Sequence, residues 1–241
     1  MRERPILFNG DMVRAILAGR KTQTRRAVKW SDLAPGLNLR FTGLSAQRYP
    51  KGWVLESDSR TSSEWRCQPT PCPFGQPGDR LWVREAHAIF PAHGQHRGDG
   101  ERWGPWGGLP TTVSDDGKQI AYYREGFDRC DPGRWRPSIH MPRWACRLVL
   151  EITDVRVERL QAMPEADWEA EGISFCMEDP STAAGHAFNE AEHYAIAGVS
   201  MRGTPEDHGM RAQFAEQGLD WDSNPWVWVI EFNRINEVSN G

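Results

Sequence analysis

The sequence predicts an α+β fold built on a mostly antiparallel sheet or small barrel. Three observations lead there. Strand and helix patterns run strand, helix, strands, helix, strand, without the regular alternation of a doubly wound parallel sheet. The first and last strands are short and strongly apolar, and a barrel would pair such ends and remove an exposed edge. Hydrophobic residues make up 39% of the 241 residues, beside 23 Gly and 17 Pro, which fits a modest core carrying long structured loops. The 12 Trp argue against disorder, because disordered chains are poor in aromatics.

Each element has a local reason. Pro5-Ile6-Leu7-Phe8 reads as a strand. Asp11 is the expected N-cap of a helix whose Met12, Val13, Ile16 and Leu17 share one face, and Gly19 suits its C-terminal end. Residues 31–77 have weak periodicity and many turn formers, ending in Pro73, Gly75, Pro77 and Gly78. Arg80-Leu81-Trp82-Val83-Arg84-Glu85 then reads as a strand with Trp82 in the core and Arg84 and Glu85 on opposite faces. Residues 91–118 are a Gly-rich loop before an Ile120–Tyr123 strand. Leu148, Leu150 and Ile152 alternate with Arg147, Val149 and Glu151, and Val155 and Val157 continue the pattern. Pro164 suits the first position of a short helix through Glu171, ended by Gly172. Thr204 and Pro205 open a second helix toward Gln217. Asp220–Trp226 reads as a turn into the last strand, its Trp residues expected across the barrel mouth, and Trp226–Phe232 is the clearest strand of the chain.

Charge and cysteine usage bound the function. The net charge is -4, so nucleic-acid binding needs a local basic patch. Five Cys in no regular pairs (Cys67, Cys72, Cys130, Cys146 and Cys176) argue against a disulfide framework. The N-terminus has no apolar signal-like region and no run reaches membrane-spanning length, so a cytoplasmic, reducing location and no membrane partner are expected. Cys67 and Cys72 precede His87, His93 and His96, but the spacing is too loose for a zinc site and no metal is expected.

The chemistry-bearing segment is Gly19–Arg26. It gathers Arg20, Lys21, Arg25 and Arg26, and sets the amine of Lys21 three residues before the hydroxyl of Thr24. Neighbouring cations and burial both lower a lysine pKa, and a neutral lysine can activate a hydroxyl. In a regular strand Lys21 and Thr24 face opposite sides, so they converge only if the chain turns after Gly19. The plain alternative is a cationic helix C-terminus complementing the dipole, at about 0.3–1 kcal/mol per charge. A second basic stretch, Arg134, Trp135, Arg136, His140, Arg143 and Trp144, combines guanidinium groups with rings that stack bases; its plain alternative is core tryptophans with solvated arginines.

These residues resemble the ASCH family of the PUA-like superfamily, marked by Gly-x-Lys-x-x-(Glu or Thr)-x-Arg after the first helix, here Gly19, Lys21, Thr24 and Arg26. The likeness continues in Gly78-Asp79-Arg80-Leu81-Trp82-Val83, through Val149 to Ile173, and in Val229–Phe232. The Pro137-Ser-Ile-His-Met-Pro-Arg-Trp144 run is similar to a larger phage and prophage subgroup. The resemblance implies a single PUA-like β-barrel domain over 1–241, with flanking helices and insertions at about 31–76, 91–136 and 176–222. It also implies a nucleoside or single-stranded RNA partner and no cofactor. Protein partners are unknown. By analogy with the small ASCH amidohydrolases that deacetylate N4-acetylcytidine, the catalytic residues become Lys21, Thr24 and Glu171, although Glu171 alone reads as an exposed helical carboxylate. Arg20, Arg25, Arg26, Arg84, Glu85, His140, Arg143 and Trp144 become substrate-binding candidates. The alternatives are a non-catalytic RNA or modified-base binding module, or a ribonuclease with His140 as general acid or base.

Overall fold

The structure, a computed structural model, describes residues 1–33, 39, 43–57, 66–96, 102–103, 105–129, 132–173, 182–198 and 203–235. Its strands in chain order are β1 (Glu3–Leu7), β2 (Gln23–Ala27), β3 (Leu44–Tyr49), β4 (Gly52–Ser57), β5 (Arg80–Arg84), β6 (His87–Pro91), β7 (Gln95–His96), β8 (Arg102–Trp103), β9 (Thr111–Val113), β10 (Gln119–Tyr123), β11 (Val149–Arg159) and β12 (Trp226–Ile235). The helices are α1 (Gly10–Leu17), α2 (Ala166–Glu171), α3 (Ala183–Ile196) and α4 (Pro205–Ala215). An α+β fold is thus present. The largest sheet has the order β1-β5-β11-β12-β2, with β1 parallel to β5 and the other registered pairs antiparallel. It has two ends, β1 and β2, so no closed barrel forms among the described residues. The first and last strands do not pair, contrary to expectation, because β1 takes β5 as its neighbour and β12 takes β2.

The chain folds as two compact units, and β11 and β12 each run through both. The first unit holds Met1–Gly19, Pro77–Ile152 and the chain from Phe232. In it α1 buries Met12, Val13, Ala15 and Ile16. Its N-cap is Asn9, two residues before the expected Asp11, because the Asn9 side chain accepts from the Met12 amide at 3.0 Å. Gly19 follows the helix at φ 74°, where a side chain would be strained. Leu81 and Val83 of β5 point into the core, while Trp82 is half-buried on the other face with the Arg84 guanidinium 5.3 Å from its ring. A second sheet, β6-β10-β9, carries Tyr122, which packs edge-on against Trp106, Phe90 and Phe127. Two single 3₁₀ turns, Ser138–His140 and Arg143–Ala145, bury Met141 and Ala145 against Ala121 and Tyr123.

The second unit holds Arg20–Gln76 and Thr153–Glu231. Here β2 pairs antiparallel with β12, and β3 with β4 forms a hairpin in a tract read only as turns. Leu160, Ile173, Met210, Phe214, Val227 and Val229 form its core. The expected Thr204–Pro205 start of α4 is a capping box closed by Asp207. Helix α2 begins two residues after Pro164 and ends at Gly172, φ 82°. The tryptophans of the tail pack inside this unit: Trp221 stacks on Phe214 at 5.7 Å, and Trp226 meets Trp30 edge-on. Cys67, Cys72 and Cys146 are free thiols, and Cys130 and Cys176 lie outside the described residues. Among the described residues no helix is long and apolar enough to cross a membrane.

Candidate functional site

In the second unit, the chain from Lys21 to Arg25 wraps the C-terminus of α2. A helix leaves its last four carbonyls without intrahelical partners. Here each finds one. Ile173 N donates to Trp168 O at 2.9 Å and Gly172 N to Glu169 O at 2.8 Å, the Schellman arrangement that a left-handed glycine permits. Thr22 N donates to Ala170 O at 2.8 Å, and Lys21 Nζ donates to Glu171 O.

The Glu171 side chain turns back into the same place. Its Oε1 accepts from Lys21 Nζ at 3.2 Å and from the Arg25 amide at 3.1 Å, and its Oε2 accepts from Arg25 at 3.1 Å. Both side chains of the Lys21–Glu171 pair are 0% exposed. The solvated glutamate expected from the sequence is therefore a buried one. Burial lowers the Lys21 pKa to about 8; Glu171 opposes the shift, and Arg26 and Arg25 add to it.

Arg25 extends the network. Its guanidinium also reaches Glu158 at 2.7 Å and Asp167 at 2.8 Å. Arg156 bonds Asp167 at 3.0 Å and also bonds Glu231. Burial alone would raise the Asp167 carboxyl, but hydrogen bonds from Arg25 and Gln23 and the charges of Arg25 and Arg156 hold it below its usual range. Lys21, Arg25, Arg26 and Arg156 thus face Glu158, Asp167, Glu171 and Glu231, and the cluster carries no formal net charge.

Thr24 stands differently. Gln23 Nε2 reaches Asp167 O and the Arg25 side chain reaches Glu171, so both lean toward α2. Strand alternation puts Thr24 on the opposite face of β2. Its hydroxyl is buried and has no hydrogen-bond partner among the described residues. Covalent geometry still keeps Thr24 Oγ1 within about 5 Å of the Arg25 amide nitrogen that touches Glu171. Arg26 bonds Gln217 at 3.3 Å, and Arg20 is half-buried at the start of the segment.

The other candidates belong to the first unit. Glu85 is buried and held by two Arg147 nitrogens, at 2.9 and 2.7 Å; burial raises its pKa and Arg147 opposes that. Arg147 also lies 4.1 Å from the Tyr123 ring. Arg143 is clamped on Glu3 at 2.7 and 2.8 Å, and Trp144 packs against the Met141 cluster. Arg84 donates to Ile139 O. His140 is exposed and lines a pocket of about 410 Å³ with Arg134, Trp135, Arg136 and Pro137.

Sequence reasoning missed Glu158, Asp167, Arg156, Glu231 and Arg147. Two signals were available for the network: Asp167 and Glu171 stand four apart on one helix face, and Arg156 and Glu158 stand two apart on one strand face. Comparison with protein-family models, curated proteins and solved structures gave no match for this chain.

Proposed function

We propose that the protein is an ASCH-type amidohydrolase that deacylates an N-acylated nucleobase, such as that of N4-acetylcytidine. The observation that carries this reading is the Lys21 amine, enclosed with Glu171 and lowered to about 8. An amine with a pKa near the working pH serves as a general base while keeping the ability to return the proton. Glu171 holds Nζ in place. Thr24, with its unpartnered hydroxyl, supplies the attacking oxygen. Thr24 starts on the face of β2 opposite Glu171, so the step requires the segment to rearrange and bring the hydroxyl to Lys21; neutral Lys21 then takes the hydroxyl proton as the oxygen bonds to the acyl carbon. The amide C–N bond then breaks, and the proton passes to the leaving exocyclic amine. Water hydrolyses the resulting Thr24 ester, releasing the acid and restoring the hydroxyl. Lys21, Thr24 and Glu171 are all buried, so turnover requires their cover to open.

The experiment is incubation of the protein with N4-acetylcytidine and related N-acyl nucleosides. Expected are amine release abolished by Lys21→Met and Thr24→Ala, and a kcat that rises with pH toward about 8 as Lys21 loses its proton. Turnover that is absent on every substrate, or that persists in a folded Lys21→Met variant, sinks the reading.

The zero formal net charge and the enclosure of Lys21, Arg25 and Glu171 favour a second reading, in which the network is a scaffold and the protein is a non-catalytic module for RNA or a modified base. Under it the same substitutions change stability and nothing else.

A further inference from the structure

The segment from Arg134 to His140 in the first unit lies outside the Lys21 network and serves no role in the reaction above. Three features define it. First, its charge is unanswered. Arg134, Arg136 and His140 are exposed, line one pocket, and have no side-chain hydrogen bond or ion pair among the described residues. Among the described residues no carboxylate lines that pocket. Burial, and after it the charges of Arg136 and Arg84, keep the neighbouring His87 below its ordinary pKa, so His87 adds no further cation beside the guanidinium groups.

Second, an aromatic wall is held in place. Trp135 is half-buried and lines the same pocket. Phe127 meets its ring edge-on at 5.2 Å, Trp106 meets Phe127 at 5.4 Å, and Tyr122 closes the chain of rings. Third, the backbone is pinned. Arg136 and His87 exchange two backbone hydrogen bonds, at 2.7 and 3.2 Å, and the His140 amide donates to Pro137 O at 3.0 Å. Groups fixed in advance lose little freedom when a ligand arrives.

The volume of about 410 Å³ lies in the small-molecule range of about 300–1,000 Å³. Inorganic phosphate would fill only a fraction of it. Paired guanidinium groups suit a phosphate, by parallel N–H donors, and an indole face suits a planar base. We propose that this pocket binds a nucleoside phosphate, with its phosphate on Arg134 and Arg136 and its base against Trp135. The site does not depend on the amidohydrolase reading, because it shares no residue with the Lys21 network.

The test is titration of the full chain with cytidine and adenosine 5′-monophosphates, followed by calorimetry and tryptophan fluorescence, with cytidine and inorganic phosphate as half-ligands. Either nucleotide is expected to bind more tightly than both half-ligands and to quench fluorescence. Arg134→Ala and Arg136→Ala should each weaken binding about tenfold. Trp135→Ala should bring the nucleotide down toward inorganic phosphate. Lys118→Ala, an exposed cation away from the pocket, should change nothing. Nucleotide binding that equals inorganic phosphate overturns the base contact. Binding that survives the double Arg134→Ala, Arg136→Ala variant, or no binding of either nucleotide, overturns the site.

Discussion

Two basic segments of this chain look alike in sequence and differ in what answers their charge. Arg25 is buried against Glu158, Asp167 and Glu171, whereas Arg134 and Arg136 stand exposed with no carboxylate among the described residues of their pocket. The first arrangement carries no formal net charge and buries Lys21, Arg25 and Glu171 at its centre, so its cations hold the fold. The second keeps its charge for something outside the chain. Clustered arginines therefore say little about ligand binding until their counter-ions are located. A buried charge is stable only where paired, and desolvation makes the loss of one partner expensive.

The largest expected effect breaks the buried side of this contrast. Arg25→Met leaves three carboxylates facing each other without their shared cation. It should cost about 3–5 kcal/mol, which urea titration of the variant would read, and in a marginally stable chain this abolishes folding. A loss below about 1 kcal/mol would mean that the network behaves like a surface ion pair.

Lys21 gives the next largest effect, through pH. Its folded pKa of about 8 lies below the ordinary 10.5, so between those values the unfolded chain binds more protons. Stability then rises with pH across that window; the penalty is full below it and gone above it. The gain is roughly 3 kcal/mol. Urea midpoints between pH 7.5 and 10.5 should climb more steeply in the wild type than in Lys21→Met, which has no amine to titrate. Parallel profiles would refute a desolvated amine at this position.

Gly172 tests how the carboxylate is aimed. It sits directly after Glu171 at φ 82°, where the two Schellman hydrogen bonds require a left-handed residue. Gly172→Ala should cost about 1 kcal/mol and, under the amidohydrolase proposed above, lower deacylation more than binding, since Glu171 would hold Lys21 less well. Thermal unfolding and separate kcat and KM values check both halves.

Much of the fold was legible because it rests on local signals. Alternating Leu148, Leu150 and Ile152 gave β11, Thr204 with Pro205 gave the start of α4, and Gly172 gave the end of α2. Helix α3 was missed because its apolar residues make only a weak face, and the β3–β4 hairpin because its apolar residues do not alternate cleanly, Trp53, Val54 and Leu55 running together in β4. The barrel expectation failed on a non-local fact, the choice of β5 over β12 as the neighbour of β1. The site divides in the same way. The Lys21–Glu171 contact, across 150 residues, was anticipated through the family resemblance. Arg25 is the residue after Thr24, and in sequence alone it reads as a ligand contact. Its partners Glu158 and Asp167 lie 133 and 142 residues away, beyond any spacing rule.

The smallest expected effect is the most discriminating. Arg134→Ala and Arg136→Ala remove exposed side chains that make no hydrogen bond or ion pair among the described residues. The backbone bonds that tie residue 136 to His87 survive both substitutions. Each should therefore leave stability within about 0.5 kcal/mol of the wild type, read by thermal unfolding without ligand. The same chemical change, loss of one guanidinium, would then cost several kcal/mol at Arg25 and almost nothing at Arg134. A marked destabilisation at Arg134 or Arg136 would mean that these arginines also serve the fold, and the contrast between the two segments would collapse.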